Sequence, residues 1–241
     1  MTVVAANLED PTQLIAESYP RRGGTVVLAV FLPLAAGLLM VGEVLTPQGL
    51  DKPTTTLSAI LKALPIAAAH STQLYVSNLL VIFGLGALAV SFAAISTLAD
   101  RRNASFAITA AVIGGSAAFC GALANVLVGF NLAAAATAHT TAAAAAQVLL
   151  SGNTSAVARM LLVAYLAGGL VAIMVMGIAL WRSKTMPRWL PILFGLGLVL
   201  AATSPPGVMA IAIQLPFAIA MVLFAARVWN SSRPTRASAL L

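Results

Sequence analysis

Residues 76–98 read VSNLLVIFGLGALAVSFAAISTL, without a charged side chain from end to end. In hydrocarbon, every backbone N–H and C=O must be satisfied within the protein. A run of about 20 apolar residues therefore has one stable form there, the transmembrane helix. Comparable runs fall at about 25–45, 104–128, 157–181, 189–204 and 207–229. The last two are separated by SPPG at 204–207, where consecutive prolines cannot continue a helix interior. Charged residues are 8% of the chain and hydrophobic residues 61%, whereas a soluble domain carries roughly 25% charged residues. Such a chain cannot coat itself for water. The expected fold is all-α, a polytopic membrane helical bundle of six transmembrane helices.

Residues 25–229 form the membrane domain in this reading, between a segment at 1–24 and a basic tail at 230–241. The first twenty residues lack the basic start and early apolar core of a cleavable signal. Instead Asp10 and Pro11 suit the N-cap and first position of a short helix.

Charge placement sets an expected orientation. With both ends of the membrane domain inside, the inner face receives Arg21, Arg22, Arg101, Arg102, Arg182, Lys184, Arg188, Arg227, Arg233 and Arg236, and the outer face receives Lys52, Lys62 and Arg159. Short cytoplasmic loops favour Lys and Arg. Trp181, Trp189 and Trp229 fall at the same inner edge, where indoles sit well between headgroups and hydrocarbon. The net charge of +7 thus points to a lipid bilayer as partner and not to nucleic acid, because the basic residues flank apolar runs and form no folded patch.

Two outer connections are expected to be helical. In 46–75, Leu57, Ile60, Leu61 and Leu64 make an amphipathic stripe. Residues 131–147 read NLAAAATAHTTAAAAAQ. Counting that tract as a seventh span would move Arg182, Lys184 and Arg188 outside, so it is assigned to an external helix of strong alanine propensity. Ser151-Gly152-Asn153-Thr154 supplies its stop and the cap of the next span.

At about 1.5 Å per helical residue, the strongly polar side chains collect in the outer third. Glu43, His70, Asn78, Asn125, His139, Arg159 and Gln214 define a candidate outer pocket, since intramembrane polar groups are costly and by default suggest function. No charge is expected at the midplane, where secondary transporters place substrate and coupling ion. The single cysteine, Cys120, excludes an intrachain disulfide and a cysteine cluster. His70 and His139 alone make a sparse metal or haem site. No nucleophile elbow, Walker or Rossmann fingerprint occurs, so no catalytic residue, metal or cofactor is assigned. Small residues at Gly114, Gly115, Ser116, Ala117, Ala118 and Gly121, with Gly168 and Gly169, predict close packing of the third and fourth spans, or a homodimer.

These features lead to a non-enzymatic membrane protein, either an accessory subunit of a membrane partner or a binder of lipid or a small apolar ligand in an outer-leaflet pocket. The alternatives are a transporter or permease subunit, and a membrane redox or metal-binding protein using His70 and His139.

The arginine pair before the first span, DRRN at 100–103 and WRSKTMPRWLPILFGLG at 181–197 give the chain a layout that resembles uncharacterised six-span integral membrane proteins of high-GC actinobacteria. The resemblance implies a plasma-membrane location with cytoplasmic termini and no established activity.

Overall fold

The computed structural model describes residues 21–50, 55–138 and 140–231. The expected helix at Asp10, the basic tail beyond 231, Lys52 and His139 lie outside the described residues. The elements are α1 (Arg21–Leu45), α2 (Leu57–Ala69), α3 (Ser71–Ser96), α4 (Ala104–Asn125), a π turn (Val126–Phe130), α5 (Asn131–Thr137), α6 (Ala142–Asn153), α7 (Ala156–Ser183), α8 (Trp189–Ala202) and α9 (Met209–Ser231). No strand occurs among the described residues.

Five segments are long and apolar enough to cross a membrane: Val27–Leu45, Ser71–Ser96, Ala104–Thr137, Ala156–Ser183 and Met209–Ser231. The sixth expected span is the shorter α8. Its 14 residues reach about 21 Å, less than the roughly 30 Å of a hydrocarbon core. It nonetheless buries Leu190, Pro191, Phe194 and Gly197 in the bundle.

Around the bundle, α1 packs on α3, α3 on α4 and α4 on α7, while on the other side α1 packs on α9 and α9 on α8. The α7–α8 contact that closes the ring is the slightest of the six. Phenylalanines fill the centre. Phe194 on α8 meets Phe92 on α3 edge-on at 6.0 Å, Phe224 on α9 edge-on at 5.5 Å, and Phe217 at 6.2 Å. All four rings are fully buried. Helices in lipid gain little from hydrophobic transfer, so packing and hydrogen bonds must hold them together. At one end of the α1–α3 pair, the Thr46 and Ser77 hydroxyls lie 2.6 Å apart and Ser77 donates to Gly42 O at 2.9 Å.

Helix boundaries depart from expectation in informative ways. The third span was expected at 104–128, but the helix runs on through the π turn to Thr137. Those 34 residues reach about 51 Å, well beyond the roughly 30 Å of a hydrocarbon core. The alanine tract is consequently two helices and not one. Its first part prolongs the span; Ala138 then turns extended (φ −71°, ψ 142°), and the Thr141 hydroxyl caps α6 by accepting from Ala144 N at 3.4 Å. Alanine propensity carries the helix on until a threonine offers the backbone a competing partner. The next cap falls one residue beyond the expected stretch 151–154: the Ser155 hydroxyl accepts from Ala158 N at 3.2 Å.

Helices α2, α5 and α6 form a cap over one end. Ile60 and Leu64 of α2 pack with Ala145, Ala146 and Leu149 of α6, while Ala63 and Ala67 pack with Ala133 of α5. The buried face is rotated from the expected stripe, leaving Leu57 and Leu61 exposed. Ala133 on α5 is small enough for the Ala63/Ala67 side of α2 to pack against it.

Candidate functional site

The capped end and the opposite, basic end give the described polar residues their places. Glu43 is half-buried near the end of α1, and its backbone carbonyl accepts from Gly207 N at 3.0 Å. That contact locks the SPPG turn onto α1 and uses the positive φ of Gly207, +92°, which only glycine adopts freely. Asn78 on α3 is fully buried against Gly129 of the π turn, where even a Cβ would collide with its carboxamide. Neither polar atom of that carboxamide has a hydrogen-bond partner among the described residues, and neither does Oε1 of the equally buried Gln214 on α9. Asn125 donates to Gly121 O at 3.0 Å within its own helix.

The remaining candidates separate from these. His70 is exposed at the single-residue hinge between α2 and α3. Arg159 is exposed and lines a surface hollow of about 350 Å³ with Asn153 and Thr154. The predicted outer pocket is thus divided: Asn78 and Gln214 point inward from two helices, whereas His70 and Arg159 face outward. Among the described residues no three His, Cys, Asp or Glu side chains come together as a metal site.

Two further openings lie along the weak α7–α8 seam. In its capped half, a cavity of about 190 Å³ runs from a rim of exposed Leu166, Leu170 and Val199 to a floor of buried Leu88, Phe92, Ala117 and Ala118. Tyr165 and Thr203 are its polar-tipped side chains. Tyr165 packs its ring against Gly121. In the basic half, a groove of about 490 Å³ is lined by Ile173, Met174, Gly177, Ile178, Trp181, Arg182, Pro191 and Ile192.

Ile173 borders both openings. It also forms the pinch between them, since a Cβ on Gly195 of α8 would meet its Cγ2 at 3.1 Å. A Cβ on Gly169 above the pinch, or on Gly177 below it, would meet nothing within 4 Å. The seam is tight at this contact and open at Gly169 and Gly177 on either side.

Below the groove, the loop at the basic end is pinned to the rest of the bundle. Thr185 Oγ1 donates to Leu98 O at 2.8 Å, and Asp100 N donates to Ser183 Oγ at 3.1 Å. Hydrogen bonds from the Asn103 side chain (2.7 Å) and backbone (3.0 Å), with Ser183 and the charge of Arg102, hold the Asp100 carboxyl below its usual range despite some desolvation. Lys184 ends α7 in the left-handed region at φ 52°, a conformation costing a non-glycine residue roughly 1 kcal/mol.

Sequence reasoning placed polar residues and missed the seam cavities. Tyr165 and Gly177 carried no distinguishing signal, and Gly169 was read with Gly168 as a packing face although only Gly168 meets the third span, because which small residues face a neighbour depends on helix rotation. Comparison with protein-family models, with curated proteins and with solved structures finds no match for this chain.

Proposed function

We propose that this chain is a non-enzymatic integral membrane protein that holds one apolar molecule, a lipid chain or a small apolar ligand, in the capped half of the α7–α8 seam, alone or as an accessory subunit of a membrane partner. In this reading the basic end faces the cytoplasm and the capped end lies outside the plasma membrane, in accord with the distribution of Lys and Arg. The cavity then belongs to the outer leaflet.

The observation that carries the proposal is the cavity itself: about 190 Å³, floored by buried hydrocarbon and rimmed by exposed Leu166, Leu170 and Val199. An apolar cavity of about 150 Å³ is enough to take benzene, so a ring or several methylenes fit here. A ligand entering sideways from lipid gains dispersion contacts along Phe92 and Leu88 without stripping water from a charge. The Tyr165 and Thr203 hydroxyls offer orientation to a polar tip. Conduction has less support, because Phe92, Phe194, Phe217 and Phe224 close the centre of the bundle.

Filling the cavity tests the proposal. Gly169→Leu introduces a side chain into open space, so the fold should survive. Native mass spectrometry of the gently solubilised protein, with extraction and identification of retained molecules, should show an apolar adduct on the parent that Gly169→Leu loses. An adduct retained equally by both would refute this location, and a parent protein that retains nothing from lipid-supplemented detergent would refute the binding role.

A further inference from the structure

We infer that the basic half of the same seam is a separate site for an anionic phospholipid of the leaflet at that end. The inference does not depend on what fills the capped-half cavity, from which the groove is separated by the Ile173–Gly195 pinch.

The groove has the two parts a phospholipid needs. Its wall is apolar, with Met174 and Ile178 of α7 exposed on one side and Ile192 of α8 exposed on the other. Gly177 keeps the floor open, since a Cβ there would meet nothing within 4 Å. An acyl chain laid along this trough replaces mobile lipid contacts with fixed ones. At the mouth stand Trp181 and Arg182, and the Arg188 guanidinium lies over the Trp181 ring, 5.2 Å from its centre. That cation–π contact holds a second positive charge beside the groove. Lys184 is exposed in the same loop.

The charge at the mouth must come from these side chains. The C-terminus of α7 and the N-terminus of α8 both end there, and their dipoles oppose each other. No acidic residue lies between Arg159 and the end of the chain, so nothing local on these two helices competes for the arginines. The acid facing them from another element is Asp100, which is bonded to Asn103 and Ser183. A phosphate diester is the complementary partner, and basic pockets between helices on this side of membranes suit anionic headgroups. A zwitterionic lipid would fill the trough equally well but gain little from the arginines, so charge selectivity is the property that identifies the site.

The experiment uses the full chain in detergent with equimolar phosphatidylglycerol and phosphatidylcholine of the same acyl chains, read by native mass spectrometry. The expected result is preferential retention of phosphatidylglycerol. Each of Arg182→Gln and Arg188→Gln should reduce the preference about fivefold, from about 1 kcal/mol per basic residue near an anionic lipid. The double variant should bring the two lipids close to parity. Arg227→Gln, which removes an exposed arginine of α9 outside the groove, should leave the preference intact. Gly177→Leu should displace the lipid while Gly169→Leu does not, a pattern opposite to that expected for the capped-half ligand. No preference in the parent protein, or a preference that survives the double arginine variant, overturns the inference.

Discussion

Helix α8 has two seams of opposite quality. Toward α9 its backbone is in contact: a Cβ on Gly197 would fall 2.6 Å from Phe217 N and 2.7 Å from its Cα. Toward α7 it touches closely at Gly195 and Ile173, with openings above and below. Glycine content does not predict which seam is tight, since α7 carries Gly168, Gly169 and Gly177 and α9 carries none. Nor does connection, since each pair is joined by a short link pinned at one end, the SPPG turn by Gly207 to α1 and the loop at 184–188 by Thr185 to Leu98. What distinguishes them is how closely the backbones approach. In lipid, where apolar side chains gain as much from solvent as from one another, a seam without backbone approach or hydrogen bonds has little to close it.

The contrast can be broken most sharply at Gly197. Gly197→Leu drives a side chain into backbone that cannot yield and should destabilise the bundle by about 3 kcal/mol or more, seen as a large fall in melting temperature in detergent. Tolerance of leucine there would mean that the two seams are alike after all.

A smaller effect separates two adjacent residues of α7. A Cβ on Gly168 meets Ala117 Cβ at 3.1 Å, but one on Gly169 meets nothing. Gly168→Leu should cost roughly 1–3 kcal/mol, and Gly169→Leu less than about 0.5 kcal/mol, as at an unpacked position. Equal melting temperatures would show that the α4–α7 seam is as loose as its neighbour.

The smallest effect concerns the pinned loop. The pKa of Asp100 is lowered in the folded protein, chiefly by the Asn103 side chain. Its contribution is therefore present above the ordinary value of 3.8 and is lost as pH falls through the folded value. Asp100→Asn should lower the melting temperature slightly at neutral pH and flatten the acid limb, so that variant and parent converge as pH falls. An identical acid limb in the variant would remove Asp100 from the account of the loop.

Five spans were legible as long apolar runs, whereas the sixth expected span forms only the 14 helical residues of α8; the turn at 204–207 was legible because paired prolines leave no alternative. The inward placement of Asn78 and Gln214 was partly legible too, since both are polar residues inside apolar runs. Whether they share a space with Glu43 was not, because that depends on the rotation of three helices about their axes. The alanine tract was read correctly as helical, but its division at Ala138 was hidden: alanine favours a helix everywhere, and threonine decides the break only when its hydroxyl finds Ala144 N.

Composition and the spacing of its apolar runs thus determined on their own that this chain is a helical membrane bundle with most of its basic residues flanking the runs toward one end. Tertiary structure alone decided that the centre is filled by phenylalanine and that the α7–α8 seam holds a cavity on either side of the Ile173–Gly195 contact. The reason lies in the solvent. Hydrocarbon requires each helix to satisfy its own backbone, which can be read along the chain, but it leaves the choice of neighbours to side-chain shape across the gap.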